Sequence, residues 1–133
     1  MTEVGVASGS PAIGSIARSA MTSAPHGLAI DTQDHGDDFV VRVGGELDLS
    51  TSPQLSAALT EAGGGTSTSI TLDLSGVTFI DSSALRVLVL SGRALGQDGC
   101  ELRIGPRSEM VARVLAMTNL DAGGDAFVVL PED

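Results

Sequence analysis

The fold of this chain is decided by the stretch Val77-Thr78-Phe79-Ile80-Asp81-Ser82-Ser83-Ala84-Leu85-Arg86. The apolar run at residues 70–74 precedes it and has the length of a buried strand. From residue 83 to 97 apolar residues recur at helical spacing, which predicts an amphipathic helix. Between strand and helix, Asp81, Ser82 and Ser83 are all good helix N-caps. The sequence therefore places two neighbouring hydroxyls at the start of a helix, on a loop that leaves the end of a sheet.

A phosphate group suits this position. The N-terminus of a helix presents unpaired N–H groups and a partial positive charge, so it tolerates an anion. A phosphoserine adds about −1.5 to −2 charges at neutral pH. Beside Asp81, and near Glu46 or Asp48, that charge would oppose any interface that removes water from the site. We therefore predict a regulatory phosphorylation site, whose modification releases a partner rather than unfolding the domain.

Composition argues against several classes of function. The chain has 17 acidic and 7 basic residues, a formal charge of −10, so no basic patch is available for nucleic acid or for an anionic membrane surface. No apolar run approaches the roughly 20 residues that span a bilayer, and no secretory signal is apparent, so we expect a cytoplasmic protein. Cys100 is the single cysteine and is expected to be buried. It allows no intramolecular disulfide and no cysteine-based metal site, and neither a metal nor a cofactor is expected.

The remaining pattern predicts an α/β domain with the element order ββαβαβαβ. Strands are predicted at residues 28–33, 39–45, 70–74, 101–104 and 126–130. A first helix is predicted to begin with Ser52 as its N-cap and Pro53 at its first position, and a third to open at Gly105 and Pro106. Alternation of strands and helices predicts a mostly parallel sheet, to which the first two strands add an antiparallel hairpin.

The chain divides into a tail and a single domain. Residues 1–25 are rich in Ala, Ser, Gly and Thr and lack sustained periodicity, so we expect a disordered tail. Within this tail, residues 11–21 have a weak helical pattern formed by Ile13, Ile16, Ala17 and Ala20. The folded domain is expected to occupy residues 26–133, a length sufficient for one core.

The predicted helix at residues 83–97 has two apolar sides. On a helical wheel one side is expected to pack on the sheet and consists of Leu85, Leu88, Val89, Gly92 and Leu95. The opposite side should face solvent, yet it is also apolar and consists of Ser83, Val87, Leu90 and Ala94, flanked by Arg86, Arg93 and Gln97. An apolar stripe on a solvent-facing helix suggests a surface that binds a partner. The alternative is that residues 119–133 or the N-terminal tail cover this side.

Two sequence motifs now stand out together. Residues 45–48 are Gly-Glu-Leu-Asp, and residues 70–85 are Ile-Thr-Leu-Asp-Leu-Ser-Gly-Val-Thr-Phe-Ile-Asp-Ser-Ser-Ala-Leu. In this combination the chain resembles the bacterial anti-sigma-factor antagonists of the STAS domain class, over about residues 26–130. The resemblance implies a STAS-like fold. It also implies that the unphosphorylated protein binds an anti-sigma factor that is itself a serine/threonine kinase, and so frees a sigma factor.

The resemblance further assigns roles to individual residues. It implies that the kinase phosphorylates Ser83, with Ser82 as the second choice, and that a PP2C-type phosphatase resets the protein. Glu46 and Asp48 match the acidic positions of the family's contact loop, and Asp81 lies beside the phosphorylated residue. The partner-binding set expected from the resemblance and the helix pattern together is Glu46, Asp48, Asp81, Ser82, Ser83, Arg86, Val87, Leu90 and Ala94. We expect a monomer that forms complexes with these partners.

The two other classes of function are an enzyme and a structural subunit of a larger assembly. An enzyme with a serine nucleophile needs a base and an oxyanion hole, but no Gly-x-Ser-x-Gly elbow is present and both histidines lie far upstream of the serines. We therefore expect no enzymatic activity. A STAS module that serves as a subunit of another assembly, for lipid transport or stress signalling, would need no phosphorylation switch and remains the alternative.

Overall fold

The computed structural model describes residues 28–131, which form one five-stranded sheet and three helices. The strands lie in the sheet in chain order: β1 (Leu28–Asp34), β2 (Asp38–Leu47), β3 (Ser69–Ile80), β4 (Glu101–Arg107) and β5 (Val128–Val129). β1 pairs with β2 antiparallel, and each later neighbour pairs in parallel. The parallel strands are connected by α1 (Ser52–Gly63), α2 (Ser82–Gln97) and α3 (Glu109–Met117). The predicted α/β class, the hairpin and the order ββαβαβαβ are confirmed.

The two faces of the sheet differ sharply in polarity. Val41, Leu72 and Ile104 are register neighbours across β2, β3 and β4, and all three are fully buried in the aliphatic core. Alternate residues point to the opposite face. There Arg42 lies between two carboxylates, 3.6 Å from Asp31 and 3.2 Å from Asp73. The helices therefore cover only one face of the sheet.

The predicted tail, residues 1–25, and the predicted start of the domain at residue 26 fall outside the described residues.

β3 is longer than predicted, because it extends to Ile80 rather than ending at residue 74. Residues Ser75 and Gly76 resemble a turn in the sequence, but the structure places them where the β2–β3 register shifts. Such irregularities insert extra residues into one strand and let pairing resume beyond them. The predicted loop before α2 is therefore reduced to the single residue Asp81.

The other errors of the sequence prediction lie at element ends. Ser52 is the first residue of α1 rather than its N-cap, which is Thr51. β4 runs on through Gly105 and Pro106, the residues predicted to open α3, because a register shift against β3 accommodates them. α3 begins instead after Ser108, whose hydroxyl accepts a hydrogen bond from the Val111 N–H at 3.3 Å. β5 is only two residues long.

Gly92 fixes the position of α2 against the rest of the domain. A Cβ atom built on Gly92 would overlap the carbonyl oxygen of Ala126 and would lie 3.3 Å from Leu102 Cδ2. The helix thus passes directly over β4 and over the backbone of the segment that leads to β5. Arg93, the next residue, lies 3.6 Å from the Asp125 carboxylate, so the same segment contacts α2 twice.

Substituting Gly92 by Ala is expected to destabilise the domain by about 1–3 kcal/mol, because the added methyl group meets backbone atoms that cannot rotate away. Gly96 of the same helix supplies the matched control, since a Cβ there meets nothing within 4 Å. Gly96→Ala should leave stability unchanged or raise it by up to about 1 kcal/mol through helix propensity. Urea denaturation of both full-length variants measures the difference, and equal effects would contradict the close contact at Gly92.

Candidate functional site

The ends of two neighbouring strands meet the start of α2. Glu46 pairs with Phe79 and Leu47 with Ile80, so the parallel pairing continues to the last residue of each strand. The Asp81 N–H then donates to the Leu47 carbonyl oxygen at 3.1 Å. The structure therefore brings the acidic end of β2 alongside the helix start, as the sequence motifs suggested.

Asp81 is the residue that caps α2. Its Oδ1 accepts hydrogen bonds from the backbone N–H groups of Ser83, at 2.9 Å, and Ala84, at 3.2 Å. Of the three possible caps in the sequence, the structure thus selects the carboxylate. The hydroxyls of Ser82 and Ser83 are not needed for capping, and neither has a hydrogen-bond partner among residues 28–131. Both are chemically available as acceptors of a phosphoryl group.

The two serines differ in exposure. Ser82 is exposed, whereas Ser83 is half-buried next to the fully buried Ala84. Arg86 is exposed and makes no ion pair with any other described residue. Because it follows Ser83 by three positions on the helix, the two side chains lie on adjacent turns of one face. Arg86 is thus the cation of α2 nearest in sequence to a charge placed on Ser83.

Asp48 holds the loop that connects β2 to α1. Its Oδ1 accepts from the Ser50 hydroxyl at 2.8 Å, from the Ser50 N–H at 3.0 Å and from the Thr51 N–H at 3.1 Å. The hydrogen bond from the Ser50 side chain is the main cause that lowers the pKa of Asp48 below its ordinary value. The Thr51 hydroxyl in turn donates to the Glu46 carbonyl oxygen at 2.6 Å. This structural role of Asp48 was missed by the sequence analysis, although an Asp two residues before a Ser in a turn is a known signal for it.

The outer side of α2 is narrower than predicted. Leu90 is 52% exposed and Ala94 is exposed, but Val87 is half-buried and packs against the core. α1 lies beside α2 on the sheet, so less of the helix faces solvent than for a helix lying alone. The segment before β5 covers α2 near Gly92 and leaves Leu90 uncovered among the described residues.

Two exposed apolar residues near the site were missed by the sequence analysis. Leu49, directly after the Gly-Glu-Leu-Asp motif, is 75% exposed, and Phe79, the register neighbour of Glu46, is 42% exposed. Both lie outside the predicted strands, which end at residues 45 and 74, and the sequence analysis gave neither side chain a role. A usable signal was available for Leu49, because it lies between Asp48 and Ser50, two turn-forming residues.

A membrane-spanning element is not found among residues 28–131, where every helix is too short or too polar to cross a bilayer. Nor does this part of the chain contain a group of three or more His, Cys, Asp or Glu side chains arranged to hold a metal ion. What the structure places at the paired strand ends is the Glu46–Phe79 pair and, one residue beyond, the Asp81 cap of α2, with the two serines following it.

Comparison with known proteins agrees with this arrangement. A family model described as "Mlab, STAS domain" matches residues 30–131. The anti-sigma-F factor antagonist RsfB of Mycobacterium tuberculosis is 30% identical over 99 residues, which cover 74% of this chain and 80% of RsfB. The anti-sigma-B factor antagonist of Staphylococcus epidermidis is 34% identical over 93 residues, covering 70% of this chain and 86% of the relative. The chain therefore belongs to the STAS-domain family that includes the anti-sigma-factor antagonists.

Solved structures give the same result for the fold. A crystal structure of an anti-sigma factor antagonist from Mycobacterium paratuberculosis superimposes with a TM-score of 0.69 at 29% identity, covering 84% of this chain and 92% of that one. SpoIIAA in its unphosphorylated form superimposes with a TM-score of 0.62 at 24% identity, covering 78% of this chain and 90% of SpoIIAA. SpoIIAA from Bacillus has also been solved in a phosphorylated form, with a TM-score of 0.57 at 23% identity and coverage of 78% and 93%.

Asp81→Ala is expected to destabilise the domain by about 0.5–2 kcal/mol, because two N–H groups of the first turn of α2 lose their acceptor. Asp81→Asn is the control, since the amide oxygen keeps an acceptor at the same place without the charge. Thermal or urea denaturation of the two variants at neutral pH measures the effect. If Asp81→Asn were as destabilised as Asp81→Ala, the charge rather than the cap would be what α2 requires.

Proposed function

We propose that this protein is an anti-sigma-factor antagonist, whose unphosphorylated form binds an anti-sigma factor and so frees a sigma factor. Family membership and the names of its relatives supply the class. The observation that carries the proposal is the start of α2, where Asp81 caps the helix. Two hydroxyls beside an acidic strand end are thereby left without partners among residues 28–131. The protein acts by binding rather than by catalysis.

Phosphorylation of Ser83 is the proposed switch, with Ser82 as the second choice. The positive end of the α2 dipole and the Arg86 side chain partly compensate the negative charge of an added phosphate, so the domain stays folded. A partner that covers the site would remove water from that phosphate beside the Asp81 and Glu46 carboxylates. Like charges brought together at an interface cost several kcal/mol, so the phosphorylated form releases its partner.

The proposed partners follow from the switch. An anti-sigma factor with serine/threonine kinase activity binds the protein and phosphorylates it, and a PP2C-type phosphatase restores the unmodified form. The protein would be cytoplasmic and monomeric between encounters, with residues 26–133 as the STAS domain and residues 1–25 as a tail. The proposed contact residues are Glu46, Asp48, Asp81, Ser82, Ser83, Arg86, Val87, Leu90 and Ala94.

A second candidate is a STAS subunit of another assembly, for lipid transport or stress signalling, without a phosphorylation switch. One observation favours it: the matching family model is described by the name Mlab rather than as an antagonist. In that case the partner would bind the protein constitutively, and a charge at residue 83 would not release it.

Ser83→Asp is expected to weaken binding of the anti-sigma factor by at least about tenfold, or 1.4 kcal/mol, because it adds a carboxylate next to Asp81 at the interface. The measurement is a paired pull-down from lysate of the source organism, followed by calorimetry with the purified anti-sigma factor. Ser82→Asp tests the second-choice site, since it places the same charge one residue away at a more exposed position.

The two candidates give different outcomes in this experiment. Loss of the partner with Ser83→Asp, but not with Ser82→Asp, supports the switch at Ser83. The reverse pattern would move the switch to Ser82. Equal capture of one partner by the wild type and both variants contradicts a phosphorylation switch at this helix and favours the constitutive subunit.

Leu90→Ser is expected to weaken binding of the anti-sigma factor by about 1–2 kcal/mol, because it removes an exposed apolar side chain from the proposed contact surface. Met117→Ser is the control, since Met117 is 71% exposed but lies at the end of α3. Neither substitution should change the midpoint of urea denaturation appreciably. Equal affinities for the two variants would remove the outer side of α2 from the interface.

A further inference from the structure

β3 contains two more residues than β2 over the segment that leads to the candidate site. From Arg42 to Leu47, β2 advances five residues, whereas β3 advances seven between their register partners, Asp73 and Ile80. One extra residue is accommodated at each of the two register shifts, the first directly after Asp73 and the second directly after Val77. The two strands therefore end side by side only because β3 takes up both extra residues.

These two residues decide how close the serines come to the acidic end of β2. If the register before the first shift continued unchanged, Leu47 would face Thr78, and Asp81 would lie three residues beyond that pair. Instead Asp81 follows the Leu47 pair by one residue, and its N–H donates to the Leu47 carbonyl oxygen at 3.1 Å. Because a strand rises about 3.3 Å per residue, the two shifts draw the start of α2 toward Glu46 by about 6–7 Å.

Asp73 holds the first register shift. There Leu74 and Ser75 together oppose the single residue Val43 of β2, so one of them lacks a partner in that strand. Leu74 is buried in the core, whereas Ser75 is exposed and is bound by Asp73. Asp73 Oδ1 accepts from the Ser75 hydroxyl at 2.6 Å and from the Ser75 N–H at 3.0 Å. Its Oδ2 accepts from Arg42 Nε on β2 at 3.2 Å, so one carboxylate fixes both strands at the last pair before the shift.

The Asp73 side chain lies away from the proposed contact surface. It precedes the end of β3 by seven residues, is half-buried and lies on the sheet face opposite the helices. Burial raises the pKa of Asp73, but the hydrogen bonds from Ser75 and the charge of Arg42 outweigh burial, so the pKa is below its ordinary value. The carboxylate is thus kept in its charged form by the two groups that it connects.

We propose that Asp73 is a positioning residue for the candidate site. By binding Ser75 within the first register shift, it sets how far β3 runs before α2 begins, although it touches no partner itself. This positioning follows from the strand pairing and is independent of the function proposed above. Its consequence for binding rests on that function, because it requires a partner that contacts Glu46 and the serines of α2 together.

The test compares ¹H–¹⁵N spectra of the full-length wild type, Asp73→Ala and Asp73→Asn. Asp73→Ala removes both acceptors, so the amide peaks of Phe79 and Asp81 are expected to shift as the pairing beyond the first register shift changes. The Asp81 amide proton reports directly, since it is hydrogen-bonded to the Leu47 carbonyl oxygen. Asp73→Asn keeps a carbonyl oxygen for Ser75 and should retain the wild-type positions of both peaks.

Asp38→Ala is the matched control. Asp38 connects the same two strands at their other end, where the register is regular, and accepts from the Ser69 hydroxyl at 2.7 Å and the Thr71 hydroxyl at 2.9 Å. Its loss should lower the midpoint of urea denaturation, as loss of Asp73 does, but leave the two amide peaks in place. Equal shifts in both alanine variants would overturn the positioning role, as would unchanged peaks in Asp73→Ala or a loss of both wild-type positions in Asp73→Asn.

Ser75→Ala provides the decisive variant if Asp73→Ala does not fold. It removes the shorter of the two hydrogen bonds to Asp73 and leaves the backbone N–H in place. The peaks of Phe79 and Asp81 are expected to move in this variant while those of residues before the first register shift stay. Unchanged positions of both peaks would overturn the proposal.

The same variants separate positioning from the proposed function. Asp73→Ala is expected to weaken binding of the anti-sigma factor captured in the pull-down by about tenfold, and Asp38→Ala to leave it unchanged. Shifted peaks with unchanged affinity would overturn the consequence for binding. A wild type that binds no anti-sigma factor would contradict the proposed function, whereas the amide peaks would still decide the role of Asp73.

Discussion

The parallel pairing of β2 with β3 is the contact on which the site depends. The pairing survives two changes of register because Gly44 and Gly76 let the strands approach, and a Cβ on Gly76 would lie 3.3 Å from the Gly44 Cα. Gly45 adopts a φ of +107°, a backbone conformation that other residues rarely reach. Beyond these glycines the strands stay paired to their ends, and the next backbone hydrogen bond already belongs to the cap of α2. No loop intervenes between the sheet and the serines.

The three carboxylates near α2 have separate physical roles. Asp81 caps the helix, and Asp48 accepts hydrogen bonds from the loop before α1, so both negative charges are partly neutralised by N–H and O–H dipoles. Glu46 has no such partners among the described residues, and its charge is therefore available to a binding protein. Of the two acidic residues in the Gly-Glu-Leu-Asp motif, Asp48 thus holds the loop together, whereas the Glu46 carboxylate is not engaged by any residue of 28–131.

Element types were predictable from the sequence, whereas several element ends were not. Hydrophobic periodicity identified the strands and α2, because a period of two or of 3.6 residues is set by the element itself and not by the neighbours against which it packs. The ends depended on pairing partners: Ser75 and Gly76 remain in β3, and Gly105 and Pro106 in β4, because neighbouring strands accept them at register shifts. The two sequence motifs predicted that Glu46 would lie near Asp81 and Ser83. The half-burial of Val87 could not be predicted in this way, because it depends on where α1 lies beside α2.

The contact between Gly92 and the Ala126 carbonyl oxygen limits how far α2 could move if a residue of its first turn were modified. A helix that meets backbone atoms this closely near its middle is hindered from sliding along its axis or rotating about it. The contact therefore opposes any shift of α2 that would carry a change at its first turn to the far end of the domain. A phosphate on the first turn, as proposed above, would act locally, through its charge, on a molecule that contacts this surface.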